Sequence, residues 1–165
     1  MTDVQIRLSI PEDIPALVAL DHMIWNTDNA PGPLYWNSAQ AYAQMHPPGT
    51  QIVAAFHGKV CGYVGFRYPT PLLSNQHVIE VSLGVDPSVR RQGIGKKLLQ
   101  SAAVWARQHG KTKMSLRVLA TNHTAIKFYQ ACGFKIQGRL IDEFFINGKY
   151  VDDILMFKRI DEFGK

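Results

Sequence analysis

Long apolar runs are missing from this chain: no eighteen consecutive apolar residues occur in its 165 positions, and the first twenty carry Asp3, Arg7, Glu12 and Asp13. A membrane span needs about twenty apolar residues and a secretory leader a continuous apolar stretch. Both are excluded, and a soluble, cytoplasmic protein is expected. Cysteine is scarce as well. Cys61 and Cys132 are the only two, too few for a disulfide framework and without a metal-ligand spacing. Each reads as a small buried residue, and no metal is expected. Internal repeats and low-complexity tracts are absent, and 165 residues with 46% hydrophobic content suffice for one buried core but not two. Residues 1–165 are read as a single domain.

Acid is nearly absent from one half. Between Val81 and Ile141 eleven Lys or Arg stand against a single acid, Asp86, while the remainder holds seven bases and twelve acids, for a net charge of +5. Such a basic half raises nucleic acid or a membrane surface as partners. The aromatics that interleave with basic residues on nucleic-acid surfaces are missing, however, since only Trp105 falls between Arg90 and Lys113. The distribution favours a polyanionic cofactor at one end and a cationic amine near the other, with no nucleic-acid and no membrane partner. Lys111, Lys113 and Lys135 read as solvated surface.

What is present is a strand, Val78-Ile-Glu-Val-Ser-Leu-Gly-Val85, running through Asp86-Pro87 into a basic, glycine-punctuated turn and then a helix. Free N–H groups at a helix start, with roughly half a positive charge from the dipole, suit a pyrophosphate. Gly93 and Gly95 allow close backbone approach, and Arg90, Arg91, Lys96 and Lys97 add charge. Two nucleotide motifs fail by spacing. A phosphate-binding P-loop would need Gly where Arg90 stands and Ser or Thr at Lys97, and the dinucleotide fingerprint needs a third glycine where Leu98 stands.

The remaining pattern, Arg-x-x-Gly-x-Gly at Arg90, Gly93 and Gly95, is followed by a second block: the strand residues Leu116-Arg-Val-Leu, Asn122, a short helix carrying Tyr129, and Gly133-Phe134. Together they resemble the GCN5-related N-acetyltransferase (GNAT) superfamily. The resemblance implies an α/β (α+β) fold of one domain, with a mixed, mostly antiparallel sheet of about seven strands flanked by about four helices and splayed between the fourth and fifth strands. It implies acetyl-CoA as co-substrate and direct acetyl transfer in a ternary complex, which sets aside Cys132 as a covalent nucleophile.

The periodicity of the chain agrees with the element order βααβββαβαββ. Val4, Ile6, Leu8 and Ile10 alternate as a strand, Pro11 opens a helix to about Trp25, and residues 26–35 form a loop before a helix at about 38–45. His57-Gly58 and Asn147-Gly148 mark hairpins between strands 51–56 and 59–67 and within the C-terminal segment. The motif helix keeps Ile94, Leu98, Ala102, Trp105, Ala106 and His109 near one face before Gly110, and 113–118 and 123–131 read as strand and helix.

Acetyl transfer to an amine needs a base, an oxyanion site and an acid for the leaving thiolate. Glu80, a carboxylate in an apolar strand, is the candidate base, with a solvated surface pair as the alternative. The family's tyrosine at the place of Tyr129 implies the acid. Backbone N–H groups of Leu83, Gly84 and Val85 would serve the oxyanion and pair with pantetheine, Ser82 being the one side chain there able to donate. The cofactor set implied is Leu83, Gly84, Val85, Arg90, Arg91, Gln92, Gly93, Ile94, Gly95, Lys96, Asn122, Ala125 and Phe128, with Lys127 on the adenosine side. Asn122 also reads as a plain helix cap, and Phe128 suits the core. For the acceptor, Trp25, Asn26, Asp28, Tyr35 and Trp36 in or beside the loop, and Tyr150, Asp152 and Asp153 on the last strand, would suit an ammonium through cation–π and Coulomb attraction. The expected acceptor is a small-molecule primary amine such as a polyamine or amino acid. The alternatives are a protein N-terminus or lysine, and a CoA-binding module without catalysis. The resemblance also allows a homodimer through the C-terminal strands.

Overall fold

Two tight turns frame the sheet. His57-Gly58 and Asn147-Gly148 both take left-handed backbone angles, φ of 51° and 76° in the first and 52° and 78° in the second, which match the twist of the strands they join. These strands are β2 (Gln51–Phe56) and β3 (Lys59–Arg67), and β6 (Lys135–Ile146) and β7 (Lys149–Arg159). The computed structural model, which describes residues 3–32 and 35–164, adds β1 (Val4–Leu8), β4 (Val78–Val85) and β5 (Lys113–Leu119). Its helices are α1 (Ile14–Ile24), α2 (Ala39–Met45), α3 (Ile94–Gln108) and α4 (His123–Ala131). Pro33 and Leu34 of the expected loop lie outside the described residues. The strands pair in the order β1-β2-β3-β4-β5-β7-β6. β4 and β5 run parallel, while β1–β2, β2–β3, β5–β7 and β6–β7 are antiparallel. This is the expected mixed sheet with four helices.

Two compact units are distinguishable, one of Met1–Ile24, Leu34–Arg67 and Val81–Trp105, the other of Trp25–Pro33, Tyr68–Glu80 and Ala106–Lys165. In the first, β3 sorts the helices by face. A Cβ on Gly62 would lie 3.2 Å from Leu98 and 3.5 Å from Ile94 of α3, and Phe66 stacks on Trp105 with centroids 4.4 Å apart. Tyr63, the next residue after Gly62, reaches the other way to Asp21 of α1. Tyr42 of α2 bonds Gln51 of β2 through its hydroxyl. Ile94, Leu98, Leu99, Ala102, Ala103 and Ala106 form the buried stripe of α3; His109 is exposed, beyond the helix end, contrary to expectation.

In the second unit, β5 pairs with β7 from Lys113 to Leu119. With β4 it pairs only at Val78↔Lys113, Ile79↔Met114 and Glu80↔Ser115. The expected splay therefore begins directly after Glu80. Beyond α4, Lys158 donates to the Cys132 carbonyl at 2.8 Å while its ammonium lies 4.1 Å over the Phe163 ring. Cys61 is buried as expected, and burial pushes its thiol up. Cys132 is only half-buried, because it stands at the C-cap of α4 rather than under it.

Two lysines read as solvated surface are engaged. Lys111 donates to the Gln76 carbonyl at 2.8 Å and covers Tyr68, and Lys113 donates to Gln137 at 2.8 Å and covers Phe157. Their long stems lie on apolar rings while the ammonium finds an oxygen. Lys135 is exposed. No helix among the described residues is long and apolar enough to cross a membrane.

The helix expected from Pro11 starts at Ile14, after a 3-10 turn at Pro11–Asp13. Pro15 has no N–H to give the Pro11 carbonyl, which accepts the Ile14 N–H instead, and Asp13 lies within this turn. Its carboxylate accepts two bonds from Arg7, at 2.7 and 2.9 Å, and one from the Ile10 N–H at 2.9 Å. The Arg7 bond above all holds the Asp13 carboxyl below its ordinary value, against the opposing effect of burial. A depressed carboxyl contributes fully above its unfolded value and loses that contribution as pH falls through the folded one. Asp13→Asn should thus cost about 1–3 kcal/mol at neutral pH and flatten the fall in stability below about pH 4, as measured by urea denaturation across that range.

Candidate active site

The basic turn is built by local hydrogen bonds. Asp86 accepts the Ser88 N–H and hydroxyl, both at 2.8 Å, closing the 3-10 turn Pro87–Val89. Its own N–H donates to the Cys61 carbonyl at 2.8 Å, so the end of β4 stays attached to β3. Arg91 and Gly93 then take left-handed φ of 67° and 80°, which for a residue with a side chain costs about 1 kcal/mol or more. The first bond of α3 runs from the Lys97 N–H to the Gly93 carbonyl at 3.0 Å. The N–H groups of Ile94, Gly95 and Lys96 precede it and have no carbonyl of the helix to meet. Gly93 also brings no side-chain oxygen to cap them, unlike Ser38 at α2 and Asn122 at α4. Arg90, Arg91, Gln92 and Lys96 are all exposed around this turn. Donors and cations of this kind fit the pyrophosphate of a CoA thioester.

Glu80, Asn122, Ala125, Phe128 and Tyr129 all belong to the second unit. Glu80 is half-buried on β4 opposite Ser115. Asn122 accepts the Ala125 N–H at 3.2 Å, so it does cap α4. Tyr129 is half-buried, edge-on to Phe128 at 5.3 Å and Phe134 at 5.8 Å. Phe128 is half-buried too, and Phe134 takes the core place expected for it. The Tyr129 hydroxyl lies within electrostatic reach of Cys132. Burial first, and the Cys132 charge second, push its phenol well above the ordinary tyrosine value. It is therefore protonated at neutral pH, the state an acid must have.

The acceptor candidates differ in their freedom. Tyr35 is 73% exposed and stacks on His22, centroids 5.1 Å apart at 9°. Trp36 is half-buried, and its indole N–H donates to Asp21 at 2.9 Å. In the second unit, Trp25 is half-buried and Asp28 exposed, its N–H donating to Asn26 at 2.8 Å. Tyr150 is 68% exposed beside Phe145. Asp152 pairs with Arg139 at 2.6 Å and Asp153 with Arg117 at 2.5 Å, so neither is the free acid the sequence reading wanted.

The family model of the acetyltransferase (GNAT) family matches residues 17–134, more than half of the chain. The chain belongs to this family. Its GNAT relatives include the L-amino acid N-acyltransferase of Escherichia coli K12, 28% identical over 141 residues, which are 84% of this chain and 80% of that one. Among solved structures, smu.2055 of Streptococcus mutans UA159 is 29% identical with a TM-score of 0.86, over 94% of this chain and 99% of that one. An N-acetyltransferase of Staphylococcus aureus Mu50 is 27% identical with a TM-score of 0.81, over 95% and 98%. GNAT membership makes the protein an acetyl-CoA-dependent acyltransferase.

The sequence reading missed Asp21 of this GNAT chain altogether, and it missed the burial of Asp153. Asp21 is 2% exposed and bonds Tyr63 and Trp36. The signal was its spacing, since Ile14, Leu17, Asp21 and Ile24 form one buried helical stripe with an acid in the apolar series. Asp153 is 3% exposed, and burial raises its carboxyl while Arg117 lowers it, with Glu143 and Glu80 adding like charge. Its place beside buried Val151 in the alternation of β7 was the corresponding signal.

Gly84 fixes the surroundings of Tyr63. A Cβ there would lie 2.8 Å from Tyr63 Cε1, 3.1 Å from Cζ and 3.3 Å from Ile24 Cδ1. Because Asp21 holds the phenol, the ring has no easy retreat. Gly84→Ala should destabilise by about 1–3 kcal/mol, and adding Tyr63→Leu should cost less than the two single changes summed, both measured by urea denaturation.

Proposed function

We propose that this GNAT protein transfers an acetyl group from acetyl-CoA to the primary amine of a small molecule, in a ternary complex without a covalent enzyme intermediate. The observation that carries the reading is the end of the β4–β5 ladder at Glu80↔Ser115. Past it, β4 keeps backbone groups that β5 does not use, and buried backbone groups need partners. The amides of the thioester's pantetheine arm are such partners. Acetyl-CoA supplies the acetyl group as a thioester whose sulfur leaves.

The roles then follow from protonation. Glu80 takes the proton of the incoming ammonium, through a water, so that the amine attacks neutral. Backbone N–H groups of Leu83 to Val85 face the oxygen on which charge develops. Tyr129 gives its proton to the departing sulfur as the carbon–sulfur bond breaks and is reprotonated by the proton that the acetylated nitrogen sheds to become an amide; burial keeps the tyrosine proton in place until then. Arg90, Arg91, Gln92, Gly93, Ile94, Gly95 and Lys96 hold the pyrophosphate, and Asn122, Ala125 and Phe128 the remainder of the cofactor. Trp25, Asp28, Tyr35, Trp36 and Tyr150 line the acceptor side. The amino-acid acceptor in the name of the E. coli relative supports a small amine. The free thiols suit a cytoplasmic setting. Exposed Ile136, Ile141, Phe145 and Tyr150 on the last two strands suit a homodimer.

The test is thiol release from acetyl-CoA with amino acids, polyamines and short peptides as acceptors, beside calorimetric titration with CoA. Tyr129→Phe should lower kcat about 100-fold or more while leaving CoA affinity within about twofold. Glu80→Gln should lower kcat about 100-fold or more, again with CoA affinity within about twofold. CoA binding without turnover on any amine would favour the non-catalytic module, and an undiminished Tyr129→Phe enzyme would remove the acid from the scheme.

A further inference from the structure

Asp21 is the least exposed carboxylate among the described residues, at 2%. Asp13 and Asp153, the other buried carboxylates, bond arginines. Asp21 instead divides its two oxygens between two aromatic donors of its own unit. Oδ1 accepts the Tyr63 hydroxyl at 2.6 Å, and Oδ2 accepts the Trp36 indole N–H at 2.9 Å. Burying a carboxylate is costly even when it is bonded, so a site that merely needed packing would be better served by an apolar residue.

The neighbours on either side extend the network. His22, next on α1, accepts the Trp36 backbone N–H on Nε2 at 3.0 Å and carries the stacked Tyr35 ring. Two consecutive helix residues thus grip two consecutive loop residues. Trp36 is closed edge-on by Tyr42 and His46, with centroids at 4.9 and 5.6 Å. At the other end, the Tyr63 ring fills the space that a side chain at Gly84 of β4 would need, 2.8 Å from where its Cβ would stand. One carboxylate therefore links Gly84, through Tyr63, to Trp36 and the exposed Tyr35.

We propose that Asp21 and Tyr63 are positioning residues for the acceptor: Asp21 fixes the Trp36 ring as a surface for the acceptor's ammonium and, through Tyr63, sets that surface against β4 at Gly84. This rests on the transferase reading above, in which Leu83 to Val85 face the reacting carbonyl and Trp36 lines the acceptor side. An indole that donates its N–H to a carboxylate has a more electron-rich ring face, and such a face attracts cations. The ligand class is an alkylammonium acceptor, delivered beside the strand where its amine reacts.

The experiment compares Asp21→Asn, Tyr63→Phe and Trp36→Phe with wild type, using acetyl-CoA and the amine that wild type turns over best. An asparagine oxygen can serve one of the two donors while its amide faces the other. Asp21→Asn should raise the acceptor KM about tenfold with CoA affinity within about twofold. Tyr63→Phe and Trp36→Phe should each give part of that rise. In the Trp36→Phe background Asp21→Asn should raise the acceptor KM by less than it does in wild type, because the ring that Asp21 positions is already gone. Thermal melts accompany each variant, and if Asp21→Asn does not fold, the Tyr63→Phe and Trp36→Phe pair decides. An unchanged acceptor KM, or CoA affinity that weakens in step with it, overturns the proposal. A wild type that turns over no amine fails the transferase reading itself, and the positioning role falls with it.

Discussion

β4 stops pairing with β5 after three registers, at Glu80↔Ser115, while β5 continues along β7 to Leu119. Much of the chemistry assigned to this chain depends on that early stop. A parallel ladder continued to Val85 would satisfy the backbone of Val81 to Val85 within the sheet and leave an extended ligand nothing to bond. Stopped at Glu80, it puts the candidate base on the last paired register, with the glycine-bearing end of the strand just beyond. The basic turn then follows within the same connection, where Asp86 ties β4 to β3 and closes the 3-10 turn before α3.

Charge separates cofactor-binding residues from structural ones more sharply than counting does. Of the basic residues between Val81 and Ile141, Arg107 donates to the Ile160 and Phe163 carbonyls, Lys111 to Gln76 and Lys113 to Gln137. Arg117 and Arg139 are held by Asp153 and Asp152. These five serve the fold of the second unit. Arg90, Arg91 and Lys96 stay exposed around a helix start preceded by Gly93, which has no side chain to cap it, and positive charge beside such N–H groups would suit an anion.

Much of the fold was legible because its turns and periods are local. His57-Gly58 and Asn147-Gly148 declare their hairpins through the backbone angles that Asn, His and Gly tolerate, and β2, β3 and α4 have the bounds expected from the sequence. The 3-10 turn before α1 was not drawn from the sequence, although Pro15, which has no N–H for the Pro11 carbonyl, was its signal. In the site, the basic turn at Arg90, Gly93 and Gly95 and Tyr129 of the second block were legible as candidates, and their roles belong to the proposal. Asp21 was not legible. A buried acid in a helical stripe looks like noise until the strand and loop that supply its donors, 42 and 15 residues away, are known.

The buried carboxylates also differ in what their surroundings demand. An arginine partner returns much of the desolvation cost of Asp13 and Asp153 as charge-assisted, directional bonds, and exchange of either pair for apolar side chains can be nearly neutral. Tyr63 and Trp36 return less to Asp21, since a phenol and an indole bring no formal charge. What they bring is geometry, because each ring is rigid and each has a single N–H or O–H to aim. A carboxylate held by two such donors fixes two ring planes at once, with Gly84 leaving the space that the Tyr63 ring occupies. Stability alone would favour apolar residues at positions 21 and 63 together, since Asp21→Leu by itself would leave the Tyr63 hydroxyl and the Trp36 N–H without their acceptor. An acid at position 21 is better explained by the orientation of the rings it holds than by the stability it adds.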